Sequence, residues 1–266
     1  MSNFNEISSK YEKDSVIQKS ASEILFDLLN IQPGDNVLDL GCGTGHISKL
    51  IRAKTDGQVV GVDPSEGMIE KANEHYSGQN ILFHTHLAEQ LDYKDEFEII
   101  FCNSAFQWFI DTKKVLKACN IALRQNGKMA IQAPATNNYC PNFIQAIEEV
   151  KRHESTKDTF SCFTSPWLFL NTSDEYSALF EEAGLSVEKS SIDKVTTSHS
   201  AEEAYKIFES GASAGYLNQT YYNIQVTREY IESFRNIIKK SFEDQAKETG
   251  QVDLTFYRIY LLAVKK

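Results

Sequence analysis

The chain has 266 residues, of which 41% are apolar and 24% are charged, and its formal net charge at pH 7 is −10. This composition supports a packed core and excludes a largely disordered chain, and the lack of an apolar run of about 18 residues excludes a membrane-spanning helix. The acidic charge, without a basic stripe to offset it, disfavours nucleic acid as a partner.

Two further classes of protein are disfavoured by the cysteine and histidine usage. Five cysteines, an odd number without a Cys-x-x-Cys motif, favour free thiols over disulfides or a zinc site. His84 and His86 can share one strand face, but no third ligand follows at a useful spacing, so no metal is predicted. Residues 1–10 are polar and lack a secretory signal, and a cytoplasmic protein is therefore expected.

The first half of the chain alternates between short apolar runs and amphipathic helical segments. Helices are predicted over Lys10–Asn30, His46–Ala53, Pro64–Tyr76 and Thr112–Leu123. Strands are predicted over Val37–Leu40, Gln58–Asp63, Ile81–His84, Phe97–Asn103 and, after a turn at Asn126-Gly127, Lys128–Pro134. This alternation with short turns predicts an α/β fold whose parallel sheet is covered on both faces.

The second half changes rhythm and predicts helical insertions into the sheet. Helices are predicted over Asn142–His153, Ser173–Ala183, Ala201–Ser210 and Thr227–Thr249, and strands over Leu185–Ile192 and Asp253–Val264. We expect a single domain with its sheet core in residues 31–134, 170–195 and 252–266. Residues 1–30, 135–169 and 196–251 are expected to form helical lid and substrate-binding segments over the carboxyl edge of the sheet.

A glycine-rich turn follows the first predicted strand. Gly41, Gly43 and Gly45 remove three Cβ atoms, so the backbone can approach a ligand closely, and the next helix presents free N–H groups. A dinucleotide fingerprint needs glycine at its first, third and sixth positions, whereas the sixth position here is His46. The spacing therefore favours a smaller ligand without a pyrophosphate.

Two aspartates accompany this turn. Asp63 ends the second predicted strand, where its carboxylate can accept hydrogen bonds from a ribose diol or cap the helix predicted from Pro64. Asp39 lies inside an apolar strand, where burial is costly unless loop N–H groups or a ligand ammonium donate to it. Turn, acid and alternating sheet together predict a nucleoside-containing cofactor.

The segments VLDLGCGTG and VVGVDPSEGMIEKA resemble the class I S-adenosylmethionine-dependent methyltransferases, and the similarity continues in FEIIFCNSAFQWFID, RQNGKMAIQAP, EEAGL and LTFYRIYLLAVKK. The resemblance implies a Rossmann-like, doubly wound, mostly parallel seven-stranded sheet with S-adenosylmethionine as cofactor. The residues it implies for cofactor binding are Tyr11, Asp39, Gly41, Gly43, Gly45, Asp63, Pro64, Ser65, Met68, Ala88, Glu89 and Asn103. Leu87 is a departure, because the family often has an acid at this position against the adenine amine.

The run Asn-Ser-Ala-Phe-Gln-Trp at 103–108 is similar to a subgroup of carboxyl methyltransferases that includes the trans-aconitate, malonyl-carrier-protein and juvenile hormone acid enzymes. This similarity suggests that Gln18 and Trp108 orient an acceptor carboxylate, which needs no strong general base. Alternatively, Trp108 is a core aromatic and Gln18 lies on a solvated helix face.

The expected function is O-methylation of a small carboxylic acid. Three alternatives remain open at this point. They are N- or C-methylation of a small metabolite, an NAD-type oxidoreductase, and a cofactor-binding protein without catalytic activity.

Overall fold

The structure, a computed structural model, describes the backbone of residues 16–266 and side chains from Ser22 onward. One seven-stranded sheet has the order β3-β2-β1-β4-β5-β7-β6. Its strands are β1 Val37–Leu40, β2 Val59–Asp63, β3 Leu82–Thr85, β4 Phe97–Asn103, β5 Leu123–Pro134, β6 Leu185–His199 and β7 Val252–Lys265. β7 pairs antiparallel with both β5 and β6, and the other pairs are parallel, so the expected doubly wound, mostly parallel fold is confirmed.

The helices connect and cover these strands. They are α1 Val16–Leu29, α2 His46–Arg52, α3 Glu66–Tyr76, α4 Thr112–Ala122, α5 Pro141–Arg152, α6 Lys157–Phe160, α7 Ser173–Glu182, α8 Ala201–Ser210, α9 Ser213–Tyr216 and α10 Arg228–Gln245. Short 3-10 turns span Ala88–Gln90, Phe106–Trp108 and Gln219–Tyr221. Within the described ranges, none of the helices has the length and apolar character needed to cross a bilayer.

Strand β4 shows why the sheet is apolar on both faces. Ile100 and Cys102 lie in the core that α4 and α7 cover, whereas Ile99 and Phe101 lie in the core that α1 covers. Successive side chains of a strand point to opposite faces, so a strand between two helical layers needs apolar residues at nearly every position. The predicted buried strand Phe97–Asn103 is confirmed for this reason.

A second core lies within the insertions and is built largely from aromatic rings. Phe143 of α5 contacts Phe208 of α8, Phe242 of α10 and Phe256 of β7 at ring-centroid distances between 5.1 and 5.8 Å. Contacts of this geometry add to the apolar area that each ring buries. The insertions therefore have their own packed interior, joined to the sheet through the first residues of β7.

Several predicted boundaries were wrong. β6 continues to His199, beyond both the predicted end at Ile192 and the core boundary expected at residue 195, because pairing with β7 continues through polar residues. β5 begins at Leu123, and the expected turn is a register shift inside this strand, where Asn126 has φ 64°. α3 begins at Glu66 because Ser65, rather than Asp63, caps it. α10 ends at Gln245, not Thr249.

Candidate active site

The predicted site lies at the carboxyl edge of three adjacent strands. The glycine turn follows β1, Asp63 ends β2, and Asn103 ends β4. The strand order reverses direction between β1 and β4, and open α/β sheets bind ligands in the crevice that such a reversal creates. The fold thus brings the predicted cofactor residues of these strands to one edge.

Gly41 allows the turns after β1 and β4 to meet across this reversal. A Cβ atom added to Gly41 would overlap the Cβ atom of Ala105, and the φ of Gly41 is +79°. The N–H groups of Gly41 and Cys42 both donate to the carbonyl of Val62 on β2, at 2.8 and 3.0 Å. A side chain at position 41 would force the two turns apart.

The other two glycines of the turn have different surroundings. Gly45 caps α2 with φ +82°, and a Cβ atom there would lie 2.7 Å from Cζ of Phe83. At Gly43, with φ +53°, an added Cβ atom would meet no atom of the described residues within 4 Å. The turn is therefore closely packed at Gly41 and Gly45 and open at Gly43.

Asp63 is bonded to the glycine turn. Its Oδ2 atom accepts from the N–H of Gly43 at 3.0 Å, and Oδ1 accepts from the N–H of Ser65 at 2.9 Å. Burial raises the pKa of Asp63 to about 6, although both hydrogen bonds lower it. The helix-cap alternative was wrong, because Ser65 caps α3 through the N–H of Met68. Each carboxylate oxygen retains a further lone pair for a ligand hydroxyl.

Asp39 finds a partner that the sequence did not indicate. The hydroxyl of Ser48 on α2 donates to Oδ2 of Asp39 at 2.6 Å, in place of the expected loop N–H groups. Asp39 is only 2% exposed. Burial raises its pKa to about 7, the Ser48 bond lowers it, and the charge of Asp63 raises it further. Two acids with raised pKa values thus lie beside the glycine turn.

The predicted adenine-side residues have mixed surroundings. Ser65, Met68 and Ala88 are buried, and Pro64 is exposed. Leu87, at the position where the family often has an acid, is 37% exposed.

Glu89 has a structural contact of its own. Its Oε1 atom accepts from the N–H of Ile110 at 2.9 Å, so this carboxylate ties the turn after β3 to the segment after β4. A role for Glu89 in cofactor binding stays a prediction.

The segment after β4 is held by a network of backbone and amide contacts. Ser104, with φ 57°, donates its N–H to the carbonyl of Gln132 on β5 at 2.7 Å. The side-chain amide of Gln107 donates to the main-chain carbonyl of Ser104 at 2.9 Å. The main-chain carbonyl of Gln107 accepts from the N–H of Leu168. These bonds anchor residues 104–107 to β5 on one side and to Leu168 of the insertion on the other.

Trp108 is half-buried at the end of this segment, whereas Phe106 fills the core. The ring of Trp108 meets Trp167 edge-on, with centroids 5.5 Å apart. Gln18 belongs to α1, but its side chain lies outside the described residues, as does the whole of Tyr11. Whether Gln18 and Trp108 meet at one acceptor therefore stays a prediction.

Three polar residues on adjacent strands, Asn103 of β4, Gln132 of β5 and Arg258 of β7, form a hydrogen-bonded row that was not predicted from the sequence. One orientation of the Gln132 amide gives both its nitrogen and its oxygen a partner: the nitrogen donates to Oδ1 of Asn103 at 3.0 Å, and the oxygen accepts from Nη1 of Arg258 at 2.6 Å. Gln132 and Arg258 are both buried. A signal was available, because Arg258 interrupts an apolar strand in the same way as Asp39 does.

Comparison with known proteins identifies the family to which the chain belongs. Residues 31–184, more than half of the chain, match the family described as methyltransferase domain. The chain belongs to this family. Membership confirms the class I S-adenosylmethionine-dependent methyltransferase that the resemblance implied, and it argues against the NAD-type oxidoreductase.

Relatives and solved structures agree with this membership. The chain is 27% identical over 130 residues to malonyl-[acyl-carrier protein] O-methyltransferase of Acetivibrio thermocellus, covering 48% of this chain and 46% of that protein. It is 32% identical over 141 residues to trans-aconitate 2-methyltransferase of Rhodopseudomonas palustris, covering 51% and 54%. The YcgJ protein of Bacillus subtilis has a similar fold, with TM-score 0.62, 16% identity and coverage of 93% and 99%. The matches thus span about half the length of the two curated relatives.

Proposed function

We propose that this protein transfers a methyl group from S-adenosylmethionine to a carboxylate oxygen of a small acceptor. The observation that carries the proposal is the bond between the Gly43 N–H and the Asp63 carboxylate, which joins an open glycine turn to an acid at a strand end. When bound, S-adenosylmethionine supplies an electrophilic methyl group on a positively charged sulfur atom.

The donor half of the site fits a ribose and a cationic ligand. The lone pairs that Asp63 retains can accept the two ribose hydroxyls, because its existing bonds use one position on each oxygen. The open side of Gly43 leaves room for a ligand against the backbone. Asp63 and Asp39 have raised pKa values, and a nearby positive charge favours the ionised form of both.

The acceptor half needs positioning more than proton transfer. A carboxylate is already a nucleophile at neutral pH, so the chain has to align it with the methyl group and exclude water. Trp108 can donate its indole N–H to such a carboxylate, and its segment is held by the bonds of Ser104 and Gln107. The names of the curated relatives describe methylation of a malonyl group and of trans-aconitate, and both compounds carry carboxylates.

The test begins with the cofactor and continues with the product. Calorimetric titration should give saturable binding of S-adenosylmethionine and none of NAD. Incubation with methyl-labelled donor and a panel of small carboxylic acids should then yield labelled product that alkali cleaves to methanol, as expected for a methyl ester.

Each other result argues for a specific alternative. An alkali-stable product indicates N- or C-methylation. Cofactor binding without turnover on a broad acceptor panel indicates a non-catalytic binding protein. Absence of S-adenosylmethionine binding to the folded chain would contradict the whole proposal.

A further inference from the structure

Arg258 is a buried arginine near the carboxyl edge of the sheet. It lies on β7 opposite Pro134, the last residue of β5, and it is 5% exposed. Tyr260 and Leu262, two and four residues further along β7, face the core that α1 covers. Since side chains alternate along a strand, Arg258 lies on the same face as these two residues.

The guanidinium has no negative partner in the described part of the chain. Asp193 is directly opposite on β6, yet its side chain is exposed and forms no ion pair with Arg258. Among the described residues, the buried Nε–H group has no acceptor, Nη1 donates to the side-chain oxygen of Gln132, and the ring of Phe256 lies 5.1 Å away.

This arrangement is costly for the fold. Removing a charge from water without a counter-ion carries a large penalty, and burial lowers the pKa of Arg258, although a guanidinium stays protonated. A buried donor without a partner adds to that cost. A ligand anion would supply both the missing charge and the missing acceptor.

The hydrogen bonds of Arg258 connect it to residues 103–108, the segment that ends at Trp108. Gln132 accepts from Arg258 and donates to Asn103 and Ser104, which begin the segment that ends at Trp108. The guanidinium is therefore two hydrogen bonds away from Asn103 and Ser104, at the start of the segment that carries Trp108.

We infer that Arg258 binds a carboxylate of the acceptor that is not the one methylated, so that the acceptor is a dicarboxylic or polycarboxylic acid. The planar fork of a guanidinium suits a carboxylate, with which it forms two parallel hydrogen bonds. The same pairing withdraws electron density from the carboxylate, which makes that group a poor nucleophile and leaves a second carboxylate to react. This inference rests on the proposed function and narrows its substrate class.

The test measures binding of defined acids in the presence of S-adenosylhomocysteine. The probes are malonate, succinate and glutarate, compared with the monocarboxylate butyrate at matched ionic strength. Wild type should bind at least one of the dicarboxylates about tenfold or more tightly than butyrate. Arg258→Gln should lose this preference, and Arg258→Lys should retain part of it because the charge stays but the fork is lost.

Two further variants separate binding from folding. Arg152→Gln removes a surface arginine, 72% exposed, and should leave the preference unchanged. Gln132→Glu places a carboxylate where the amide oxygen now accepts from Arg258, so this variant should fold normally and also lose the preference.

Three results would overturn the inference. They are equal binding of the dicarboxylates and butyrate by wild type, wild-type preference in Arg258→Gln, and wild-type preference in folded Gln132→Glu. Each leaves the proposed function intact if labelled methyl transfer to monocarboxylic acids is observed. Failure to bind S-adenosylmethionine, by contrast, contradicts the proposed function itself.

Discussion

The N–H of Gly43 donates a 3.0 Å hydrogen bond to the Oδ2 atom of Asp63, which joins the turn after β1 to the end of β2. Gly43 and Asp63 are 20 residues apart in the chain. The bond fixes the position of the glycine turn relative to the Asp63 carboxylate, so a change that moves the turn also moves the carboxylate. Loss of the Asp63 carboxylate should therefore affect ligand binding and turn geometry together.

Asp63→Ala should weaken binding of S-adenosylmethionine by about 1.5–3 kcal/mol, which is the scale of hydrogen bonds to a charged group. The ribose hydroxyls would lose their acceptor, and calorimetry measures the change in Kd. Asp35→Ala is a matched control, because Asp35 also accepts from a backbone N–H, that of Gln32, but before β1 at the opposite edge. An affinity of Asp63→Ala equal to wild type would make Asp63 an anchor for the turn alone.

Cofactor affinity should depend on pH through Asp63. The ribose hydroxyls bind best to the ionised carboxylate, whose pKa burial raises to about 6. Affinity should therefore fall as pH drops through about 6, where protonation of Asp63 competes with binding, and Asp39, whose pKa burial raises to about 7, contributes the dependence at higher pH. Titrations between pH 5 and 8 measure this dependence. Asp63→Asn should bind more weakly and should lose the part of the decline centred near pH 6, and a parallel decline in both proteins would exclude Asp63 as its source.

Asp39 should make the fold less stable as pH rises. The pKa of Asp39 is about 7 in the folded chain and about 4 when unfolded, so the folded state holds the proton more tightly. The stabilisation is complete below pH 4 and is lost as pH rises through 7. Relative to Asp39→Asn, the wild-type free energy of unfolding should fall by roughly 2–4 kcal/mol across this range. Urea denaturation at several pH values measures it, and identical profiles would contradict the raised pKa.

Gly41→Ala should destabilise the fold more than Gly43→Ala. Both positions have positive φ, which costs a non-glycine residue about 1–2 kcal/mol. Only at Gly41 would the new methyl group also overlap Ala105, and such overpacking adds about 1–3 kcal/mol. Thermal and urea unfolding of the two variants provide the comparison. Equal destabilisation would mean that the turns after β1 and β4 separate without cost.

Trp108→Phe should reduce kcat/KM for the acceptor by about ten- to a hundredfold while leaving cofactor affinity unchanged. The change keeps an aromatic ring but removes the indole N–H proposed to donate to the acceptor, and one such bond to a charged group contributes about 1.5–3 kcal/mol. Trp167→Phe, which alters the ring in edge contact with Trp108, is the control for packing. Unchanged turnover in Trp108→Phe would remove this residue from the acceptor site.

Buried strands were the easiest elements to predict, and β6 was the hardest. β1 and β4 match their predicted bounds because both faces are covered and their sequences are mostly apolar. The last seven residues of β6, from Asp193 to His199, are exposed or half-buried and mostly polar. Their strand conformation comes from pairing with β7, a contact between distant parts of the chain that local composition does not record.

The residues of the candidate site also divide into those that local sequence indicates and those whose contacts join distant parts of the chain. The positions of the glycine turn and of Asp63 were predictable because each directly follows or ends a buried strand that local sequence already indicates. Ser48 as partner of Asp39, and Gln132 as partner of Arg258, depend on which elements become neighbours after folding. Arg258 was overlooked although a charged residue in an apolar strand always requires a partner.

The aromatic interior of the insertions is separate from the cores beneath α1, α4 and α7. A change of ring size at Phe143 or Phe208 should therefore be accommodated within the insertions and should leave the turn around Gly41 unchanged. The aromatic interior of the insertions and the turn that carries the proposed cofactor site can therefore vary in sequence independently of each other.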